Sequence, residues 1–296
     1  MQNNMTRTNR ANVVGSLWMV AAMACFAIED VFVKAAAETL PVGQLLILFG
    51  LGGTCVCAVA ARASGAVLFS PAVLSKPMRI RAGFEVAGRL FYALAVALTP
   101  LSAATVILQA TPIVVVAGAA LFFGETVGWR RWFAIVLGLT GVLIILQPGT
   151  ESFSAMSMLA VLGMFGFAGR DLASRAAPRS LGISVLGFYG FLAIVVAGVI
   201  YALYERAAFV LPSPAAGLYL LGAILVSVPA YTGLMIAMRT GEISAVAPFR
   251  YSRLPFGVLC GVILFGETLS PWILLGGALI VLSGMIILWR SKSVAR

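Results

Sequence analysis

Long apolar stretches separated by short polar segments run through the whole chain. We count ten segments of about 20 mainly apolar residues, which is the length that crosses the hydrocarbon core of a bilayer. Glu85 and Arg89 interrupt the third segment, and Pro229 interrupts the eighth. The pattern predicts an all-α polytopic membrane protein with ten transmembrane helices. Their centres are expected near residues 24, 53, 90, 113, 139, 165, 193, 227, 255 and 280.

The second half of the chain repeats the first at an offset of about 142 residues. Phe123-Gly124-Glu125-Thr126 returns letter for letter as Phe265-Gly266-Glu267-Thr268, and apolar stretches of spanning length flank both copies. In the first apolar stretch of each half, Asp30 corresponds to Asp171. Self-similarity over such a distance indicates a duplicated unit. We therefore predict a cytoplasmic tail (1–11), a first five-helix repeat (12–148), a second five-helix repeat (153–290) and a second cytoplasmic tail (291–296).

An odd number of crossings per repeat inserts the second repeat upside down relative to the first. The distribution of basic residues supports this inversion, because cytoplasmic loops carry an excess of Lys and Arg. With the N-terminus inside, Arg206 alone falls in an outer loop, and both termini are cytoplasmic. Fourteen basic residues fall in inner segments: Arg7, Arg10, Arg62, Lys76, Arg79, Arg81, Arg130, Arg131, Arg175, Arg179, Arg239, Arg290, Lys292 and Arg296.

Composition agrees with a membrane protein and excludes several other classes. The hydrophobic fraction is 61%, charged residues make up 10%, and the mean hydropathy is +1.06. The net charge of +10 is largely a consequence of the topology, and we expect no nucleic-acid partner. There is no histidine, the four cysteines all lie in apolar segments, and no catalytic or nucleotide-binding motif occurs. We expect no enzyme activity, no cofactor and no metal.

Chemistry must then come from polar groups inside the spans, since an ionisable group at mid-bilayer usually faces a cavity or a partner. In three pairs an acidic residue is followed four residues later by a basic one, which places each pair on one helix face. Two interpretations stay open: local pairing at the membrane interface, or gates that exchange ionic partners during transport. The candidate gating residues are Asp30 with Lys34, Glu85 with Arg89, and Asp171 with Arg175.

The ninth span carries two arginines that have no acidic neighbour one turn away. Counting from the inner side near Ser244, Arg250 lies about 9 Å deep and Arg253 about 14 Å deep, close to the midplane. A structural interpretation pairs Arg253 with Glu85 or Glu29 of another helix. The functional interpretation has the two guanidinium groups bind the carboxylate or phosphate of a ligand. Further candidate substrate-binding residues are Tyr92, Gln109, Thr111, Tyr231 and Tyr251, and candidate hinges are Pro112, Pro229 and Pro255.

Several of these segments resemble a known family. Thr111-Pro112, Gly124-Glu125-Thr126 and Gly138-Leu139-Thr140-Gly141 look like the repeat of the drug/metabolite transporter superfamily, EamA type, and the second half is similar. The resemblance implies a ten-helix secondary transporter of the bacterial inner membrane that exports small metabolites, often amino acids. It also implies that spans one, three, four, six, eight and nine line a central cavity. We favour the YddG-like aromatic amino-acid exporters, although the quoted motifs are not specific to one branch.

Other functions are compatible with the same fold. A sugar-phosphate or nucleotide-sugar exchanger would use deep arginines but usually needs more than two of them. An exporter of cationic drugs would need a deep unpaired carboxylate, such as Glu29 or Glu85. The sequence does not distinguish proton-coupled from passive transport, or a monomer from a homodimer. The expected partners are the lipid bilayer and a small-molecule substrate.

Overall fold

The computed structural model describes residues 2–123, 129–147, 155–175, 178, 180–240 and 247–289, and this part of the chain contains helices and no strand. Short 3₁₀ turns cover Pro71–Leu74 and Ala247–Ser252. The α-helices are α1 (Gln2–Ala37), α2 (Val42–Ala63), α3 (Lys76–Leu98), α4 (Leu101–Leu108), α5 (Thr111–Phe123), α6 (Trp129–Leu146), α7 (Ser157–Arg175), α8 (Ile183–Glu205), α9 (Pro214–Thr240), α10 (Arg253–Phe265) and α11 (Pro271–Trp289).

These eleven helices form the ten predicted spans, because two of the spans are broken. The fourth span consists of α4 and α5 with a turn at Gln109 and Ala110, and the ninth joins the second 3₁₀ turn to α10. The breaks are equivalent in the two repeats, since α5 begins at Thr111 and α10 begins at Arg253, 142 residues later. A proline follows each start within the first turn, where its missing N–H removes no helical hydrogen bond. The chain is therefore an all-α polytopic membrane protein.

Within the described residues, four helical segments are by themselves long and apolar enough to cross a membrane. They are Val13–Ala37, Val42–Ala63, Ile183–Glu205 and Pro214–Ala237. Four of the remaining spans, the third, fourth, sixth and ninth, fall short for two physical reasons. The fourth and ninth are broken, and α3 and α7 carry charged residues near their centres or ends. Such residues are tolerated in a membrane when they face the interior of a bundle.

Helix packing relates the two repeats by a two-fold arrangement. Helix α1 of the first repeat packs on α9 of the second, and the equivalent pair, α3 and α7, packs in the same way. Three contacts join equivalent helices directly: α2 with α8, α4 with α10, and α6 with α11. Inverted repeats related by an axis in the membrane plane produce this pattern.

Glycines allow the closest helix contacts between the repeats. Gly88 of α3 and Gly166 of α7 meet backbone to backbone, and a Cβ atom at Gly166 would overlap the Gly88 backbone. Helices α6 and α11 make a similar contact, because a Cβ atom at Gly141 would lie 2.6 Å from the carbonyl oxygen of Gly276. Small residues commonly permit close packing of membrane helices. These glycines therefore serve packing inside the chain.

Substituting Gly166 by alanine is expected to destabilise the fold by about 1–3 kcal/mol, since the added methyl group meets backbone that cannot rotate away. Gly217→Ala in α9 is the matched control, because a Cβ atom there meets no atom within 4 Å. Thermal unfolding of both variants in detergent measures the difference. Equal melting temperatures for the two variants would contradict the proposed contact.

Candidate functional site

A cavity lined by residues of both repeats lies between them. Six spans contribute to it: the first, third, fourth, sixth, eighth and ninth, as the family resemblance implied. Among the side chains that the structure describes, none from helices α2, α6, α8 and α11 lines it. The cavity is lined by Met23, Phe26, Asp30, Arg89, Tyr92, Leu108, Gln109, Thr111, Pro112, Phe167, Arg170, Leu234, Arg250 and Arg253.

Arg253 is held in the cavity wall by groups of the first repeat. Its Nη2 donates to Asp30 Oδ2 at 2.6 Å and lies 3.4 Å from Tyr92 Oη, and the Tyr92 hydroxyl in turn donates to Asp30 at 3.0 Å. The guanidinium also lies over the rings of Phe26 and Tyr92, with centroid distances of 5.2 and 5.3 Å. Salt bridges between largely buried partners require such additional hydrogen bonds to compensate for lost hydration. The partner of Arg253 is therefore Asp30, whereas the sequence suggested Glu85 or Glu29.

The equivalent carboxylate of the second repeat is bound by the other arginine of the ninth span. Arg250 Nη1 donates to Asp171 Oδ2 at 3.0 Å, and Arg170 Nη2 donates to Asp171 Oδ1 at 2.9 Å. Arg250 and Arg253, three residues apart in one segment, thus bind Asp171 and Asp30 respectively. The fourth span carries Leu108 and Thr111 at the matching positions, so the charge distribution is asymmetric although the helix arrangement is not.

A second group of ion pairs surrounds Glu85 on α3, whose side chain is only 1% exposed. Three guanidinium groups contact this carboxylate: Arg170 at 3.2 Å, Arg81 at 3.3 Å and Arg89 at 3.4 Å. Arg89 also reaches Glu29 at 3.4 Å. Counting these pairs with those of Asp30 and Asp171, five arginines face four carboxylates. The described ion pairs around the cavity therefore have a formal charge of +1.

Two hydrogen-bond donors at the cavity lack an acceptor within the described chain. They are Nε of Arg253 and Nε2 of Gln109, and both atoms are buried. An unpaired buried donor costs about 1–3 kcal/mol, and more when the group is charged. A ligand oxygen in the cavity would recover this energy.

The structure brings together five of the seven predicted substrate-binding residues. Arg250, Arg253, Tyr92, Gln109 and Thr111 all line the cavity. The other two, Tyr231 and Tyr251, are buried but are not among the lining residues. The hydroxyl of Tyr231 accepts a hydrogen bond from Arg81 at 2.7 Å, so it supports the ion pairs around Glu85.

The predicted local ion pairs have a mixed outcome. The pair of Glu85 with Arg89 is confirmed. The pair of Asp30 with Lys34 is wrong, since Asp30 binds Arg253 and Lys34 Nζ lies 3.6 Å from Glu267. Asp171 binds Arg170 and Arg250, while the side chain of Arg175 lies outside the described residues. The proposed gating role of these residues stays a prediction.

Sequence reasoning missed the importance of Arg170 and Arg81. Arg170 was not among the candidate residues, yet it lines the cavity and bridges Glu85 and Asp171. The acidic residue next to it in the sequence, Asp171, could have identified Arg170 as part of an ion pair. Arg81 was assigned to an inner loop from the charge bias, but it lies in α3 and is 3% exposed. Its spacing of four residues from Glu85 could have identified the pair.

The predicted hinge prolines occupy three different settings. Pro112 lies at the second position of α5 and lines the cavity, while Pro229 lies inside the continuous helix α9. Pro255 lies in the first turn of α10, so it frees no carbonyl inside a helix. Their movement during transport stays a prediction.

Comparison with known proteins relates this chain to transporters. Residues 13–147 match the EamA-like transporter family. The chain is 28% identical to a riboflavin transporter of Vibrio cholerae, over 95% of each chain. It is also 29% identical to the pseudopaline exporter CntI of Pseudomonas aeruginosa, over 94% of this chain and 96% of the relative.

One further relative and one solved structure are similar to this chain at lower sequence identity. An S-adenosylmethionine uptake transporter of Rickettsia felis is 26% identical over 66% of this chain and 65% of its own length. A crystal structure with 17% identity superimposes with a TM-score of 0.63 and covers 97% of this chain and 99% of its own, which shows a shared fold. The family match covers the first repeat, and the second repeat carries the same motif. The first half of the chain is thus similar to the EamA-like transporter family, and riboflavin and pseudopaline transporters are similar to nearly its whole length.

Proposed function

We propose that this chain is a secondary transporter that moves a small metabolite bearing a carboxylate or comparable oxygen acceptor across the bacterial inner membrane. Amino acids and their derivatives, aromatic ones in particular, are the substrates that we favour, with export as the direction. The observation that carries the proposal is the pair of unpaired donors, Arg253 Nε and Gln109 Nε2, in one cavity. Both donors suit a carboxylate oxygen, and guanidinium groups match carboxylate geometry.

The charge balance and the aromatic side chains narrow the substrate class further. A formal charge of +1 among the described ion pairs suits a group with one negative charge better than a doubly charged phosphate. Phe26, Tyr92 and Phe167 each face a guanidinium group, and their rings offer flat apolar surface beside the charge. A zwitterion with a planar ring would use both features.

Riboflavin is a second candidate, because two riboflavin transporters, from Rhizobium johnstonii and Vibrio cholerae, are 28% identical over more than 90% of this chain. A flat ring system with carbonyl oxygens would also fit an aromatic cavity with free donors. The wider spread of substrates among the relatives, which include pseudopaline and S-adenosylmethionine, means that relatedness alone does not select one.

Transport itself follows from the inverted repeats, which create two related conformations around one central site. We propose cytoplasmic termini and alternating access to the two faces of the membrane. The loop charges described above support this orientation.

Uptake into proteoliposomes separates the candidates. We expect counterflow of radiolabelled tryptophan or phenylalanine into vesicles preloaded with the same amino acid, and riboflavin tested in parallel decides the second candidate. A thermal-shift screen with amino acids, a sugar phosphate and a quaternary amine covers the remaining classes. Stabilisation by the amine alone would overturn the proposal, because the described cavity offers more cations than carboxylates.

A further inference from the structure

The second copy of the repeated Gly-Glu-Thr motif joins the two repeats at one end of the cavity. Glu267 belongs to the second repeat, and its carboxylate accepts hydrogen bonds from the backbone N–H groups of Leu101 at 2.7 Å and Ser102 at 3.0 Å. These groups form the first turn of α4 in the first repeat. Free N–H groups at a helix start bind a carboxylate well. The glutamate of the motif therefore caps a helix of the other repeat.

Lys34 completes this junction from the end of α1. Its Nζ donates to the carbonyl oxygen of Thr99 at 2.8 Å, lies 3.6 Å from Glu267 Oε1 and sits 5.2 Å from the ring centroid of Phe265. The side chains of Lys34 and Glu267 are 16% and 10% exposed. The junction thus ties together α1, the α3–α4 turn and the end of α10.

Gly266 gives the motif its shape. It ends α10 in the left-handed conformation, with φ of +62°, which glycine adopts without strain. Glu267 then turns back along the helix, and its N–H donates to the carbonyl oxygen of Gly261 at 3.2 Å. The carboxylate packs against Gly261, where a side chain would occupy its place. Gly266 and Glu267 of the motif thus have separate physical roles in one contact.

Burial opposes ionisation of Glu267, but the hydrogen bonds from Ser102 and Leu101 and the charge of Lys34 outweigh it, and the pKa is lowered. A lowered pKa means that the stabilisation is present above the ordinary glutamate range and is lost only as the pH falls through the lower folded value. The junction is therefore charged at neutral pH.

The junction closes one end of the bundle, which we call the Lys34 face. Along α1, Lys34 lies one turn, about 6 Å, beyond the cavity residue Asp30, and along α10 Phe265 lies about 18 Å beyond Arg253. At the other end, the cavity reaches Arg170 and Leu234, which lie within about two turns of the ends of α7 and α9. The cavity extends away from the Lys34 face.

We propose that Glu267, Lys34 and the first turn of α4 form a clasp that holds the Lys34 face closed and opens when the transporter changes to its opposite conformation. The proposal rests on the alternating-access function proposed above. It assigns a role in gating to the Gly-Glu-Thr turn, rather than to the carboxylates inside the cavity.

The chain contains a matched control for this clasp. Glu205, at the end of α8, also caps a helix of the other repeat, accepting from the N–H groups of Val42 at 3.4 Å and Gly43 at 3.1 Å. Helices α2 and α8 do not line the cavity. Glu267→Gln and Glu205→Gln therefore make the same chemical change. Each alters a glutamate that caps a helix of the other repeat, but only Glu267 belongs to the clasp.

The experiment measures the distance between spin labels at positions 39 and 268, on opposite sides of the clasp, in full-length protein lacking its native cysteines and reconstituted in lipid. We expect Glu267→Gln to raise the ratio of long to short distances about tenfold, because charge-assisted hydrogen bonds are lost. Glu205→Gln should leave the distance distribution unchanged.

Two results would overturn the proposal: an unchanged distribution in Glu267→Gln, or an equal shift in Glu205→Gln. If Glu267→Gln does not fold, Lys34→Met decides by the same measurement, with the same expected direction. The distance measurement needs no substrate. The clasp proposal can therefore be contradicted while the counterflow assay supports transport, and the counterflow assay can fail while the distance measurement supports the clasp. The two proposals are therefore tested separately.

Discussion

Arg253→Ala is expected to reduce the affinity for a carboxylate-bearing substrate about 100-fold and to abolish measurable transport in proteoliposomes. The substitution removes a guanidinium group from the cavity lining and leaves Asp30 buried without its partner at 2.6 Å. Truncating one member of a buried, hydrogen-bonded charge pair costs about 2–5 kcal/mol, and 1.4 kcal/mol corresponds to a factor of ten. Binding of labelled substrate and initial transport rates measure the two effects.

Two further variants separate binding from folding. Arg253→Lys keeps the charge beside Asp30 but loses the planar fork, so it should retain the fold and recover only part of the affinity. Arg79→Ala, at an exposed position of α3, should behave like the unaltered protein. Unchanged affinity and rate in Arg253→Ala would remove Arg253 from the substrate site.

Glu85→Gln is expected to cause the largest loss of stability of any single substitution considered for this chain. Its carboxylate is almost fully buried and neutralises Arg81, Arg89 and Arg170 at once. The amide keeps the volume but removes the negative charge, so three guanidinium groups lose their common partner. Breaking a buried ion pair in this way costs about 3–5 kcal/mol. Thermal unfolding in detergent should show a melting temperature lower by on the order of 10 °C.

The same substitution at an exposed site provides the control. Glu38 lies in the turn that follows α1 and is exposed, so Glu38→Gln should leave the melting temperature unchanged. A melting temperature of Glu85→Gln within about 2 °C of the unaltered protein would contradict the assigned network, since it corresponds to less than about 1 kcal/mol.

The fold could be predicted from the sequence because its two main signals are long and repeated. Apolar length sets the number of spans, and the offset of about 142 residues relates the halves. The breaks in the fourth and ninth spans were less visible, since apolar residues flank Gln109 and the arginines on either side of Ser252 were interpreted as ligand-binding groups. Pro112 and Pro255 indicated disturbance there, but sequence spacing alone could not distinguish a bent helix from a helix that starts anew.

The site was predictable only in part, because partner choice depends on contacts between distant segments. Arg253 was identified by its depth and its lack of a local acid. Its partner Asp30 lies 223 positions away in the sequence, and a closer candidate for Asp30, Lys34, was available on the same helix. Tyr231 and Tyr251 shared the polar character of Tyr92, but helix rotation directs them away from the cavity lining.

The backbone contact between Gly88 and Gly166 has a mechanical consequence. Helices α3 and α7 also pack closely at Gly163 with Tyr92 and at Gly169 with Phe84, on either side of this glycine pair, so a change in their crossing angle would pivot near Gly88 and Gly166. The end of α3 at Leu98 lies about 15 Å from Gly88, so a tilt of about 10° displaces it by about 3 Å. This displacement is comparable to the 2.8 Å hydrogen bond between Lys34 and Thr99 just beyond that end. A small rocking motion at the centre of the bundle is thereby amplified into rupture of a bond at its rim.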